Sequence, residues 1–390
     1  MNEEAVTPHK NRKKILWGIG IGFIAITIGI FFLWLFIWRF EEYTRDAYVH
    51  GNQVVVTSQI PGYITEVTVD DTQVVEEGRV LIQLDTIDQK LAFESAKNTM
   101  AETVRNVVSL FEKVGTFKAD KEIRKAEFSF AAKEYQHRKK LLPSGSVSKE
   151  NFQQAEARFI EAFAAYIGAD HALRGAEAQV ENTTIPTHPL VKRAEDAVRE
   201  SYVNFQRCTI RSASNGIVAM KKAQVGESIS LETPLMMIVP LNEIWVNANF
   251  KETQLKKVRV GQPVKLTSDI YGGDVVYHGE VVGLSAGTGS VLSVLPPQNA
   301  TGNWIKIVQR LPVRVRLEPS EIKRNPLHLG LSMNVTIDIH DTSGKMIPAP
   351  MPPGALYSTD IFEKQDEGVD QIVQKILEQN ITLKETDDGN

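Results

Sequence analysis

GYITEVTVDDTQVVEEGRVLIQLD (residues 62–85) and GIVAMKKAQVGESISLETPLMMIV (residues 216–239) decide the fold. Laid over each other without a gap, they match Gly62 with Gly216, Ile64 with Val218, Val75 with Ile229, Leu81 with Leu235 and Leu84 with Ile238. Each begins with Gly before an apolar strand, passes a turn-rich middle and ends in a second apolar run. A unit so small cannot bury a core alone, so the two read as halves of one β domain that close on each other. Residues 86–215 must then leave that domain and come back to it, an excursion that suggests reach rather than chemistry.

The excursion carries the clearest periodicity in the chain. Steps of seven from Phe93 give Met100, Val107, Val114, Lys121, Phe128, Tyr135 and Leu142, apolar or aromatic at all but one position. Steps from Phe152 give Phe159, Tyr166, Leu173 and Val180, with Ala155, Ala162, Ala169 and Ala176 in a row beside them. Large residues on one row and alanines on the next make a narrow seam where two helices pack closely. Between the two series, Leu141-Leu142-Pro143-Ser144-Gly145-Ser146-Val147-Ser148 breaks one helix and restarts the next, with Ser148 placed as N-cap. Residues 88–207 therefore read as an antiparallel coiled-coil hairpin with arms of roughly 55 residues, about 80 Å long. Pro186 and Pro189 must kink or interrupt the return arm near its base.

Ile15–Trp38 contains no charge. As a helix it would be about 36 Å long, enough for a hydrocarbon core of roughly 30 Å. A cleaved signal peptide would be shorter and end in small residues, whereas this run ends Phe36-Ile37-Trp38-Arg39-Phe40-Glu41, so an uncleaved anchor is the reading. Lys10, Arg12, Lys13 and Lys14 crowd the near side, while acidic residues offset Arg39 and Arg45 beyond it. That bias places residues 1–14 in the cytoplasm and the bulk outside it. Gly18, Gly22, Ala25 and Gly29 share one helical face on which another helix could approach.

Segment 39–59 reads as a linker and an extended stretch that joins a β-barrel. Period-two alternation returns in Ile244, Val246, Ala248 and Phe250, in Val313, Val315 and Leu317, and in Val335, Ile337 and Ile339. The whole is expected to be an elongated α+β multidomain chain. Its parts are a cytoplasmic tail (1–14), a transmembrane anchor (15–38), the linker (39–59), half-domains at 60–87 and 208–240 around the hairpin (88–207), and a small β-barrel (241–340). A Pro-rich link and tail (341–390) follow, in which Val369, Ile372, Val373, Ile376 and Leu377 fall on one face of a possible helix.

Net charge is −4, which argues against nucleic-acid binding. The single cysteine, Cys208, excludes an intramolecular disulfide and reads as a small core residue. The 8 histidines show no metal-type spacing. Gly283–Ser290 is glycine-rich but lacks the lysine and following helix of a phosphate loop. Asn299-Ala300-Thr301 is a glycosylation sequon by letters only. No catalytic signature appears, so neither an enzyme nor a cofactor is expected.

The split halves resemble the lipoyl/biotinyl carrier fold. The modifiable lysine of such carriers has no counterpart here, since the helical insert takes its place. The chain as a whole resembles the HlyD/EmrA family of membrane fusion proteins from the anchor to about residue 340. The first half carries the family pattern in Val75–Asp85. Branch-specific stretches are Asp46-Ala47-Tyr48-Val49-His50-Gly51-Asn52, Val246-Asn247-Ala248-Asn249-Phe250-Lys251-Glu252-Thr253-Gln254, and Gln298–Lys306 with Gln309–Val313. The resemblance implies a periplasmic adaptor for drug efflux, with a major-facilitator transporter in the inner membrane, a TolC-like outer-membrane channel and several copies ringing that channel. The alternative within the class is an adaptor of a type I (ABC) protein secretion system. Such adaptors often carry Arg-x3-Leu-x6-Ser at the hairpin tip. Here His137, Leu141 and Ser148 occupy the three positions, with Arg138 adjacent, so the Arg position departs from the pattern. Leu141 would fill an apolar notch of the channel, and Ser148 would serve as N-cap alone or as N-cap and contact. The loop containing Gly287, Gly289, Asn299, Gly302 and Trp304 is the expected surface toward the transporter.

Overall fold

The computed structural model describes residues 10–36, 38–289, 291, 308–350 and 353–381. Helix α1 (Lys10–Phe36) leads into β1 (Glu41–Gly51), β2 (Val54–Thr57), β3 (Gly62–Val67), β4 (Val74–Val75) and β5 (Val80–Leu84). Three helices follow, α2 (Ile87–Leu141), α3 (Lys149–Val180) and α4 (Pro189–Gln206). The chain then forms β6 (Thr209–Arg211), β7 (Gly216–Ala219), β8 (Ser228–Ile229) and β9 (Pro234–Val239). Last come β10 (Ile244–Lys251), β11 (Pro263–Ser268), β12 (Val276–Leu284), β13 (Arg310–Leu317), α5 (Pro319–Arg324), β14 (Ser332–Asp338) and α6 (Val369–Ile381).

The two sequence halves do interlock. One sheet runs β2-β9-β7-β4 and the other β6-β5-β3-β8, so each draws strands from both halves. Within them β3 pairs with β8 (Gly62 opposite Ile229), and its repeat equivalent β7 pairs with β4 (Val74 opposite Ile217). The matched residues Ile64, Val218, Val75, Ile229, Leu81, Leu235, Leu84 and Ile238 all lie in one core. The repeat extends to the backbone. Thr72 (φ 72°) corresponds to Gly226 (φ 85°), and Gly78 (φ 85°) to Glu232 (φ 63°), so both halves turn through the left-handed region at the same two places. Only glycine enters that region without a Cβ penalty, yet each half supplies it at just one of the two turns.

Segment 39–59, expected to join the barrel, divides instead. β1 enters the barrel, while β2 pairs with β9 as an edge of the split domain. The barrel is closed in the order β1-β10-β13-β12-β11-β14. Its alternating residues point inward, with Val246, Ala248, Phe250, Val313, Val315, Val335 and Ile337 fully buried.

α2 is 55 residues long and α3 32, so the outgoing arm measures about 80 Å at 1.5 Å per residue. The return arm is interrupted between α3 and α4, the stretch that holds Pro186. Pro189 begins α4, where a missing N–H costs nothing. His188 caps that helix: Nδ1 accepts from Leu190 N at 3.2 Å and Nε2 lies 3.1 Å from the Gln179 carbonyl. In the distal hairpin, Phe128 packs its ring on Phe159, Phe163 and Tyr166 with centroids 5.4–5.9 Å apart, and Tyr135 packs on Phe152 and Phe159. The alanine row lets the arms close, with Ala155 and Ala169 buried. Nearer the base, Phe93, Met100 and Val107 face α4 and α6 instead of α3.

Candidate docking surfaces

The hairpin tip is built from the end of α2, a 3-10 turn over Leu142–Ser144, and the start of α3. Gly145 takes φ 73° and reverses the chain. Ser148 Oγ accepts from Asn151 N at 3.2 Å, which makes it the N-cap of α3. Arg138 does not project freely. Its guanidinium donates to the Asn151 carbonyl at 2.8 Å and meets the Glu134 carboxylate at 2.5 Å, bracing α2 against the first turn of α3. Asn151, the partner in that brace, carries no sequence signal of its own. Leu141 is half-buried, and Ser144 Oγ donates to its carbonyl at 2.8 Å. His137 is exposed on the outer surface. Arg138, Lys139 and Lys140 occupy the last turn of α2, where cations suit the negative end of the helix dipole. The tip thus carries Arg138, Lys139 and Lys140 beside a turn capped by Ser148.

The glycine-rich loop leaves the end of β12. Gly287 N donates to Ser285 Oγ at 3.5 Å, and nothing lies within 4 Å of where a Cβ on Gly289 would sit. Asn299, Gly302 and Trp304 lie outside the described residues. On α1, Ile15–Phe32 has a mean hydropathy of 2.3 and none of it is buried within the chain. Gly18, Gly22 and Gly29 meet no atom within 4 Å of an added Cβ, and Ala25 is exposed. That face is bare, and the helix is long and apolar enough to cross a membrane.

Among the described residues no group of His, Cys, Asp and Glu is arranged to hold a metal ion. Cys208 is fully buried, and burial pushes its thiol up to about 11, so it is held as the neutral SH.

A family model described as the EmrA alpha-helical hairpin domain matches residues 87–208. The match opens on the first residue of α2 and closes between α4 and β6, so it covers the whole excursion out of the split domain. The multidrug export protein EmrA of Haemophilus influenzae is 36% identical over 377 residues, spanning 97% of each chain. This chain belongs to the EmrA family of membrane fusion proteins. The multidrug export protein EmrA of Escherichia coli (strain K12) is 41% identical over 323 residues, 83% of this chain and 82% of that one. A solved structure of the periplasmic adaptor protein EmrA shares 17% identity at a TM-score of 0.39, covering 77% of this chain and 99% of that one.

Proposed function

We propose that this chain is a non-enzymatic periplasmic adaptor for export of toxic compounds. α1 anchors it in the inner membrane with residues 1–14 in the cytoplasm, and the hairpin carries its tip toward a TolC-like outer-membrane channel. A major-facilitator transporter beside α1 supplies the transport energy, and several copies ring the exit duct. The observation that carries this reading is the 36% identity to a multidrug export protein across 97% of both chains. Two features suit the role: an exposed apolar helix with a small-residue face, and a capped, basic tip on an arm of about 80 Å. The bare face Gly18–Gly29 is a surface for a transporter helix, since small residues let membrane helices approach closely. The loop with Gly287 and Gly289 is a second surface toward that partner. Purification of the full chain in mild detergent tests the assignment. Recovery of a many-helix transporter without an ATPase domain is expected; recovery of an ATP-binding transporter would replace it with a protein-secretion adaptor.

A further inference from the structure

The C-terminal segment makes a set of contacts that the adaptor reading leaves unused. Residues 345–350 and 353–358 are exposed, although the Lys345 carbonyl still accepts from Val260 N of the barrel at 2.9 Å and Pro348 lies beside Gly283. The segment then grips two different parts of the molecule. At the split domain, Thr359 Oγ1 donates to Glu77 Oε1 at 2.8 Å, and Ile361 is buried. There the segment forms one wall of a cleft of about 410 Å³ whose other walls include the β2 and β6 edges. At the hairpin base, Arg199 donates to Asp366 Oδ2 and Asp370 Oδ1, both at 2.6 Å. Tyr202 Oη donates to the Glu367 carbonyl at 2.8 Å, and Arg105 to Asn380 Oδ1 at 2.6 Å. Gly368, at φ 88°, turns the chain into α6.

α6 itself lies in a groove. Val369, Val373, Ile376 and Leu377 recur at helical spacing and are buried against Phe93, Met100, Val104 and Val107 of α2 and against Val191, Ala194 and Val198 of α4. This is the pattern of an amphipathic helix docking as a ligand, here delivered by a tether that keeps its effective concentration high. The covalent connections between hairpin and split domain are short: Asp85-Thr86 on one side and Arg207-Cys208 on the other. Bending at that joint is magnified by the arm, since about 10° at the base moves a tip 80 Å away by roughly 14 Å.

We propose that residues 359–381 form a detachable brace that fixes the angle between the hairpin and the split domain. Docked, the brace ties Glu77 on one side of the joint to Arg199, Tyr202 and Arg105 on the other. Released, it leaves the hairpin held by its two covalent connections and uncovers the groove around Met100, Val104 and Val107.

The test uses the full chain in nanodiscs, with spin labels at Glu66→Cys on the split domain and Lys113→Cys on α2; Cys208, fully buried, stays in place. Val373→Asp with Ile376→Asp should release α6. Amide exchange in α6 and along residues 93–107 and 191–198 then rises on the order of a hundredfold, and the label-to-label distance distribution broadens. Unchanged exchange across the barrel shows that the variant is folded. Arg199→Ala, which keeps the apolar docking, should broaden the distribution less. A distribution as narrow as wild type after α6 has been released would overturn the brace. So would unchanged exchange in α6 and its groove, or α6 cross-linking chiefly to the hairpin of a second copy.

Discussion

Lys121 Nζ and Asp170 Oδ1 lie 2.7 Å apart across the two arms of the hairpin, at the single position where the large-residue row of α2 carries a charge. The exception in the heptads is thus answered from the facing helix. Arg174 joins Asp170 at 2.8 Å, so the carboxylate is held from two sides.

This pair makes hairpin stability pH-dependent. The hydrogen bond from Lys121 holds the Asp170 carboxyl below the usual carboxylate range, and the same bond raises the Lys121 ammonium. A depressed carboxylate stabilises above its unfolded value of about 3.9 and loses that contribution as pH falls through its folded value. A raised ammonium stabilises below its unfolded value of about 10.4 and loses its share as pH rises through its folded value. Helical melts should therefore show both an acid and an alkaline loss, and Asp170→Asn should flatten both. Identical pH profiles for wild type and Asp170→Asn would contradict this.

The seam depends on Phe128, whose ring meets Phe159, Phe163 and Tyr166. It is half-buried, so Phe128→Ala should cost about 2 kcal/mol, less than the ~3–5 kcal/mol of a fully enclosed ring. Chemical denaturation followed by helical signal reads this, with the barrel as internal standard.

The repeat in the split domain gives a paired prediction. Glu232 and Gly78 occupy equivalent left-handed turns. Glu232→Gly should stabilise the domain by up to about 1 kcal/mol, the Cβ penalty less the added chain entropy. Gly78→Ala should destabilise it by about 1 kcal/mol. At the strand starts the halves differ. A Cβ on Gly216 would sit 2.5 Å from the Val239 carbonyl oxygen, whereas one on Gly62 meets only Leu84 at 3.6 Å. Gly216→Ala should cost about 1–3 kcal/mol and Gly62→Ala far less. Equal melting shifts for those two would contradict the packing described.

Ser148 separates capping from contact. Ser148→Ala loses the hydrogen bond to Asn151 N and should cost about 1 kcal/mol in α3, while Ser148→Asp keeps an N-cap. Drug tolerance retained in Ser148→Asp assigns the residue to capping. Tolerance lost with α3 intact assigns it to docking as well.

Much of this fold was legible because its signals are periodic. The heptads from Phe93 and Phe152 gave a hairpin, the alternation at Val246 and Val335 gave barrel strands, and the matched Ile64 and Val218 gave one shared core. What was not legible is non-local pairing. Period-two alternation does not name a partner strand, so β2 reads toward the barrel although it pairs with β9. Phe93, Met100 and Val107 continue the seam row in sequence, yet beyond the break at Pro186 the facing surface is α4 and α6. In sequence, Arg138 is only a basic neighbour of the tip motif. Its tie to the Asn151 carbonyl depends on the turn at Gly145, which no spacing encodes.

The proposed function requires the hairpin tip to reach an outer-membrane channel. A photo-cross-linking residue placed in intact cells at His137 or Ser146, both exposed at the tip, tests it against a control at Glu66 on the split domain. An adduct is expected between the tip positions and an outer-membrane channel protein, absent from the Glu66 control. Tip adducts formed only with inner-membrane proteins, or with other copies of this chain, would contradict it.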